Sequence, residues 1–255
     1  MSSDELEYYI PKFKLDQLMP NGYQYSLKKI NDLEKEFKNV LFNRSCSGMT
    51  RDRADELPNV ISFGVKAILI DKETRSHIWL VDETFSKDRK KKISIPGGHL
   101  SVPYDDDTVE SFLKDNLIRE LCEEFSSNKN IISSLYPDDI EYHLSKLGFQ
   151  DVEDVEDGWY YQYTPNYISF FKVINVIPNQ FISNRNAVPF SLNDYDMTER
   201  LYKFRDTKNF NSVVREKLDI PSDIKSDIRI LKKGRYSKML GSIMELVKEL
   251  KTSDN

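Results

Sequence analysis

The segment TVESFLKDNLIRELCEEF, residues 108–125, places the tightest constraint on the fold. Val109, Phe112, Leu113 and Leu117 recur at helical spacing, so the segment reads as a helix with one apolar face. Glu120, Glu123 and Glu124 then follow at i, i+3 and i+4, on that same face. A surface helix ordinarily keeps its charges opposite its apolar stripe. Here the acids continue the stripe, which places them in a cleft beside the core. Clustered carboxylates in a cleft are costly unless protonated, paired or metal-bound. Arg119 can neutralise one at most. Oxygen donors on a rigid element suit a hard divalent cation, Mg²⁺ or Mn²⁺, which completes its shell with water and phosphate. The competing reading is a solvated acidic helix end.

The flanking segments give this helix a sheet to pack on. NVISFGVKAILI (59–70) is apolar and β-branched and reads as a strand, with HIWLVDE (77–83) as its partner. ISIPGGHL (93–100) is a short strand broken by Pro96-Gly97-Gly98. Asp107 or Thr108 can cap the helix, and Glu110 in its first turn suits the helix dipole. A second helix is expected over 137–148, stopped by Gly148. One or two aromatic-rich strands follow over 160–177, and an amphipathic helix over 236–251. Residues 1–57 read as an N-terminal helical extension, carried by apolar spacing over 26–42, and 58–255 as the main domain. Strands around one central helix imply an α+β fold, an α/β/α sandwich with a mixed sheet.

Composition narrows the function. A net charge of −5 weighs against binding a nucleic-acid duplex through a broad basic surface. The acidic start, MSSDELEYYIPKFK, lacks the basic-then-apolar order of a secretory signal, so a cytoplasmic, intracellular protein is expected. No apolar run reaches about 18 residues, so no membrane span is indicated. The two cysteines, Cys46 and Cys122, make no disulfide framework. Cys122, inside the helix, reads as a small buried hydrophobe rather than a nucleophile.

Pro96-Gly97-Gly98, Arg119-Glu120-Leu121 and Glu123-Glu124 together resemble the signature of the Nudix hydrolase family, GX5EX7REUXEEXGU with U a bulky aliphatic residue. The preceding strand pair resembles that fold's opening hairpin, and the resemblance covers residues 59 to 126 best. Gly98 lies 21 positions before Arg119 where the pattern has 14, so seven residues are inserted. The position of the pattern's first glutamate holds Ser111, so Asp107 or Glu110 would take that role. The final glycine is absent, Ser126 and Ser127 standing there instead.

The resemblance implies metal-dependent hydrolysis of the diphosphate bond in a nucleoside diphosphate derivative: a nucleotide sugar, a dinucleotide or ADP-ribose. Glu120, Glu123 and Glu124, with a backbone carbonyl at Gly98, would be the metal ligands. Gly97, His99 and Asp107 would meet substrate, and Arg119 would orient a carboxylate, Asp107 or Glu123. Glu120 or Glu123 could serve as the general base, as could Glu153, Asp154, Glu156 or Asp157 from a later loop. KDRKKK (87–92) could attract an anionic substrate or be a solvated loop. Trp159, Tyr160, Tyr161, Tyr163 and Tyr167 could include a base-stacking residue, though strand aromatics are mostly core. Two other readings stay open: an enzyme that hydrolyses the mRNA cap, with RNA as partner, and a catalytically silent nucleotide-binding regulator.

Overall fold

The computed structural model describes residues 6–50, 53–54, 56–57, 59–71, 77–82, 93–101, 108–125, 137–150, 158–181, 187–191, 241–243 and 245–250. The chain is mixed α+β. It divides into two compact units, one formed by Met1–Ala67, Gly97–Leu121 and Val155–Lys172, the other by Ile68–Pro96, Cys122–Asp154 and Val173–Asn255.

In the first unit, β1 (Glu7–Pro11) pairs antiparallel with β3 (Ser47–Met49) and with the start of β4 (Val60–Asp71). On the far side, β2 (Gln24–Lys29) pairs antiparallel with β8 (Trp159–Thr164). A two-residue turn, Pro165-Asn166, joins β8 to β9 (Tyr167–Val176), in register from Thr164 opposite Tyr167 to Trp159 opposite Lys172. β9 neighbours β4, and the Ser62 amide donates to the Asn166 carbonyl at 3.4 Å. Those two strands therefore start together and run the same way, which makes the sheet mixed. All six residues of β8 are buried, so this part of the sheet is covered on both faces.

Helices α1 (Lys12–Leu18) and α2 (Leu33–Leu41) contribute Leu15, Phe37, Val40 and Leu41 to the core. The phenyl ring of Phe37 meets Phe170 of β9 edge-on at 5.0 Å. Helix α3 (Val109–Phe125) buries Val109, Phe112, Leu113 and Leu117, the four residues of the expected stripe.

The second unit holds the end of β4, paired antiparallel with β5 (His77–Asp82), which also pairs with β6 (Ile93–Ser94) and β10 (Ala187–Ser191). Helix α4 (Pro137–Lys146) ends at Gly148, whose φ of +97° is open to glycine at little cost. The chain then enters β7 (Phe149–Gln150), paired with the end of β9. Phe125, Phe149 and Phe181, the last from the short α5 (Pro178–Phe181), pack with ring centroids 5.0–5.5 Å apart. Residues 241–243 and 245–250 are helical, as expected for the C-terminal helix.

The N-terminal segment departs from expectation. The helix expected over 26–42 exists only from Leu33, and residues 24–29 form an edge strand instead. Asp32 stops any earlier start: its carboxylate accepts from the Lys35 amide at 3.0 Å, making it the N-cap. Three strands of the first unit come from residues read as a helical extension.

Candidate active site

Gly98 and Glu120, 22 positions apart, are in direct contact. A Cβ added to Gly98 would overlap both carboxylate oxygens of Glu120 and the carbon between them. The second glycine of the Pro-Gly-Gly turn is therefore the floor on which the acid lies. Gly97 is constrained by backbone: its φ is +126°, and a Cβ would strike the Val65 carbonyl. The turn is tied to β4 by the Val65 amide donating to the Gly98 carbonyl at 3.0 Å and by the Leu100 amide donating to Phe63 at 3.0 Å.

Arg119 fastens the two motifs together. Its Nη2 donates to Glu120 Oε1 at 2.8 Å and to the His99 carbonyl at 3.1 Å. Glu120 is only 4 % exposed, so a charge-assisted bond of this kind offsets part of its desolvation. Arg119 is expected from the sequence to orient Asp107 or Glu123; the carboxylate it is seen to bond is Glu120, its own neighbour. A guanidinium one residue away reaches it because both side chains turn toward the 97–99 turn.

Ser101, on the far side of the turn from Pro96, is tied to α3 by Asn116. Its Oδ1 accepts from the Ser101 amide and hydroxyl, both at 2.9 Å, while its Nδ2 donates to the Phe112 carbonyl at 2.9 Å. Thr108 caps the helix, its Oγ1 accepting from the Ser111 amide at 3.1 Å. Glu110, one candidate for the displaced acid, is turned to Lys172, 3.6 Å away, with a side chain 61 % exposed. Ten helical residues put it about 15 Å along the axis from Glu120. Lys172 itself is buried, and burial pulls its pKa below the ordinary lysine value, against the pull of Glu110.

Glu123 and Glu124 lie in the last turn of α3 and are half-buried. Cys122, the residue before Glu123, is buried, and its thiol is pushed up to about 12, first by burial and then by Glu123. A thiol in that state is no nucleophile at neutral pH. Among the described residues, no three His, Cys, Asp or Glu side chains converge as a ready-made metal site. The donor chemistry still fits a hard divalent ion, since the helix offers carboxylate oxygens at i, i+3 and i+4. Asp107, the acids Glu153, Asp154, Glu156 and Asp157, and the 87–92 lysine loop lie outside the described residues.

Trp159, Tyr160, Tyr161 and Tyr163 are buried in β8, which is the core role expected of strand aromatics. Tyr167 differs. Its ring meets the His99 ring edge-on at 5.7 Å, and its hydroxyl occupies the space a Cβ on Gly64 would need. Sequence reading missed Gly64, Asn116 and Glu7, whose carboxylate stands beside His99. A glycine inside an apolar strand is a signal of close approach and could have flagged Gly64. Nothing around Glu7 in ELEYYIP sets it apart.

No helix among the described residues is long and apolar enough to cross a membrane. No family model matches the chain, and no curated protein matches it. Solved structures do. One, titled "Crystal structure of Tm1382, a putative Nudix hydrolase", is 13 % identical with a TM-score of 0.45, the match covering 82 % of this chain and 97 % of that one. A likeness of that size leaves the function to be argued from the residues.

Proposed function

We propose that the chain is a metal-dependent hydrolase of the Nudix type, cleaving the diphosphate bond of a nucleoside diphosphate derivative. One observation carries the reading. The two halves of the sequence signature, Pro-Gly-Gly and Arg-Glu, meet through Gly98 against the Glu120 carboxylate and through Arg119, which binds both Glu120 and the His99 carbonyl. An incidental pair of motifs has no reason to interlock in this way.

In this reading Glu120, Glu123 and Glu124 would hold Mg²⁺ or Mn²⁺, with the Gly98 carbonyl as a further ligand. The ion would supply Lewis acidity at the phosphoryl oxygens and a water of lowered pKa. The chain's own residues do the positioning. Arg119 holds Glu120 in place, so its geometry is set before substrate arrives. With no Cβ, Gly97 packs on the Val65 carbonyl and Gly98 on the Glu120 carboxylate, which sets the turn against its acid, and the Gly97 backbone would meet substrate. Glu120 or Glu123 would take the proton of the attacking water, and Asp107 would meet the substrate.

The test is a panel of nucleotide sugars, dinucleotides, ADP-ribose and capped RNA, with Mg²⁺ or Mn²⁺, on wild type and Glu123→Gln. Turnover that needs the metal and falls by about 10²–10³-fold in Glu123→Gln is expected. No metal-dependent turnover on any substrate would favour a binding module. Turnover on capped RNA alone would move the substrate class to the mRNA cap.

A further inference from the structure

Glu7, on β1, stands beside His99, the residue that follows Gly98, and is 7 % exposed. Strand pairing fixes its place: it bridges Ser101, the Tyr8 amide donates to the Leu100 carbonyl at 2.9 Å, and His99 bridges Gly64. The Tyr9 hydroxyl donates to Glu7 Oε2 at 2.5 Å, and His99 Nδ1 stands 3.5 Å from Glu7 Oε1. Tyr167 flanks the imidazole edge-on, and Arg119 holds the His99 carbonyl. The His99 side chain nevertheless stays 25 % exposed.

A carboxylate this deeply buried is costly and is kept only with partners that repay it. Here one oxygen is braced by a phenol and the other faces one nitrogen of a partly exposed imidazole. A carboxylate at Nδ1 fixes both ring orientation and tautomer. With Glu7 beside Nδ1, Nε2 is the nitrogen through which a ligand would meet the ring, directly or across a bridging water.

We infer that Glu7, braced by Tyr9, is a positioning residue that holds His99 with its proton on Nδ1 and its Nε2 edge toward the phosphates of the substrate. The inference rests on the hydrolase reading for the identity of the ligand. The Glu7–His99 coupling stands independently of it.

The experiment is ¹⁵N NMR of the imidazole nitrogens at one fixed pH, on the full chain. The sequence has three histidines, so His99→Gln assigns the signals. Wild-type His99 should be protonated at Nδ1. Glu7→Gln should shift both His99 nitrogens and leave those of His77 and His143 unmoved. Magnesium pyrophosphate, added as probe, should perturb Nε2 more than Nδ1, and bind several-fold more weakly to Glu7→Gln. If Glu7→Gln fails to fold, Tyr9→Phe removes the brace alone and should shift the same nitrogens less. Identical His99 nitrogens in wild type and variant, or pyrophosphate binding that leaves the ring unperturbed, would overturn the inference. Absence of turnover with the expected NMR shifts would sink the hydrolase reading alone. Normal turnover with an unresponsive ring would sink this inference alone.

Discussion

At the scale of single residues, the glycines of the turn make the sharpest claims. Gly98→Ala has a φ any residue can adopt, so its effect comes from the displaced Glu120 carboxylate. Overpacking of this kind costs about 1–3 kcal/mol, and moving a catalytic group by about 1 Å can cost 10²-fold in rate. Activity should therefore fall far more than the melting temperature; equal loss of both would place Gly98 in a purely structural role. Gly97→Ala adds left-handed strain and a backbone collision, so it should lose fold and activity together. Cys46 makes a different prediction. Its thiol donates to the Val40 carbonyl at 3.3 Å, and burial raises its pKa from 9.0 to about 11. The folded state thus holds this proton longer than the unfolded chain does. The stabilisation is complete below pH 9.0 and is lost as pH rises toward about 11. Cys46→Ala should flatten the fall of denaturant-measured stability across that window. An unchanged slope would mean the thiol contributes nothing there.

At the scale of elements, α3 was legible because its apolar residues keep a 3.6-residue period and its cap is a threonine at the right place. The Thr108→Ala variant should lose about 1 kcal/mol, read by urea unfolding. A second contact at the same helix end, the Val109 amide donating to Glu34 of α2, was not legible because it joins residues 75 apart. The pair bears on the displaced acid too. Glu110→Gln should leave metal-dependent turnover within a few-fold of wild type, since Glu110 faces Lys172 rather than Glu120. A loss on the scale of Glu123→Gln would restore Glu110 as the signature acid. The 26–42 segment misled for a physical reason. Leu27, Ile30 and Leu33 share helical spacing across a boundary that Asp32 enforces, and the period ran through the cap. Capping residues are local and outrank a weak periodicity.

At the scale of the molecule, the question is whether residues 1–57 are an appendage. Their side chains argue otherwise. Tyr8, Tyr9, Ile10, Leu15, Phe37, Val40 and Leu41 are each at most 5 % exposed. The ring of Tyr8 packs on Phe63 at 5.8 Å and on Phe112 at 6.1 Å, so it joins β4 to α3. Burying a large apolar side chain stabilises by about 1.5–3 kcal/mol. Seven such losses match or exceed the ~5–15 kcal/mol that holds a whole domain folded. Removal would also strip β4 and β8 of their partners β1 and β2, leaving backbone donors and acceptors of buried strands unpaired. Chemistry would go with stability, because Glu7 and its contact with His99 leave with β1. A chain beginning at residue 58 should therefore give no dispersed amide NMR spectrum and no cooperative thermal transition. Adding residues 1–57 as a separate peptide should restore both only if the peptide finds its strand positions in trans. A truncated chain that melts cooperatively near the full-length temperature would instead establish 58–255 as a domain in its own right. The Glu7–His99 pair would then be an accessory to a site complete without it.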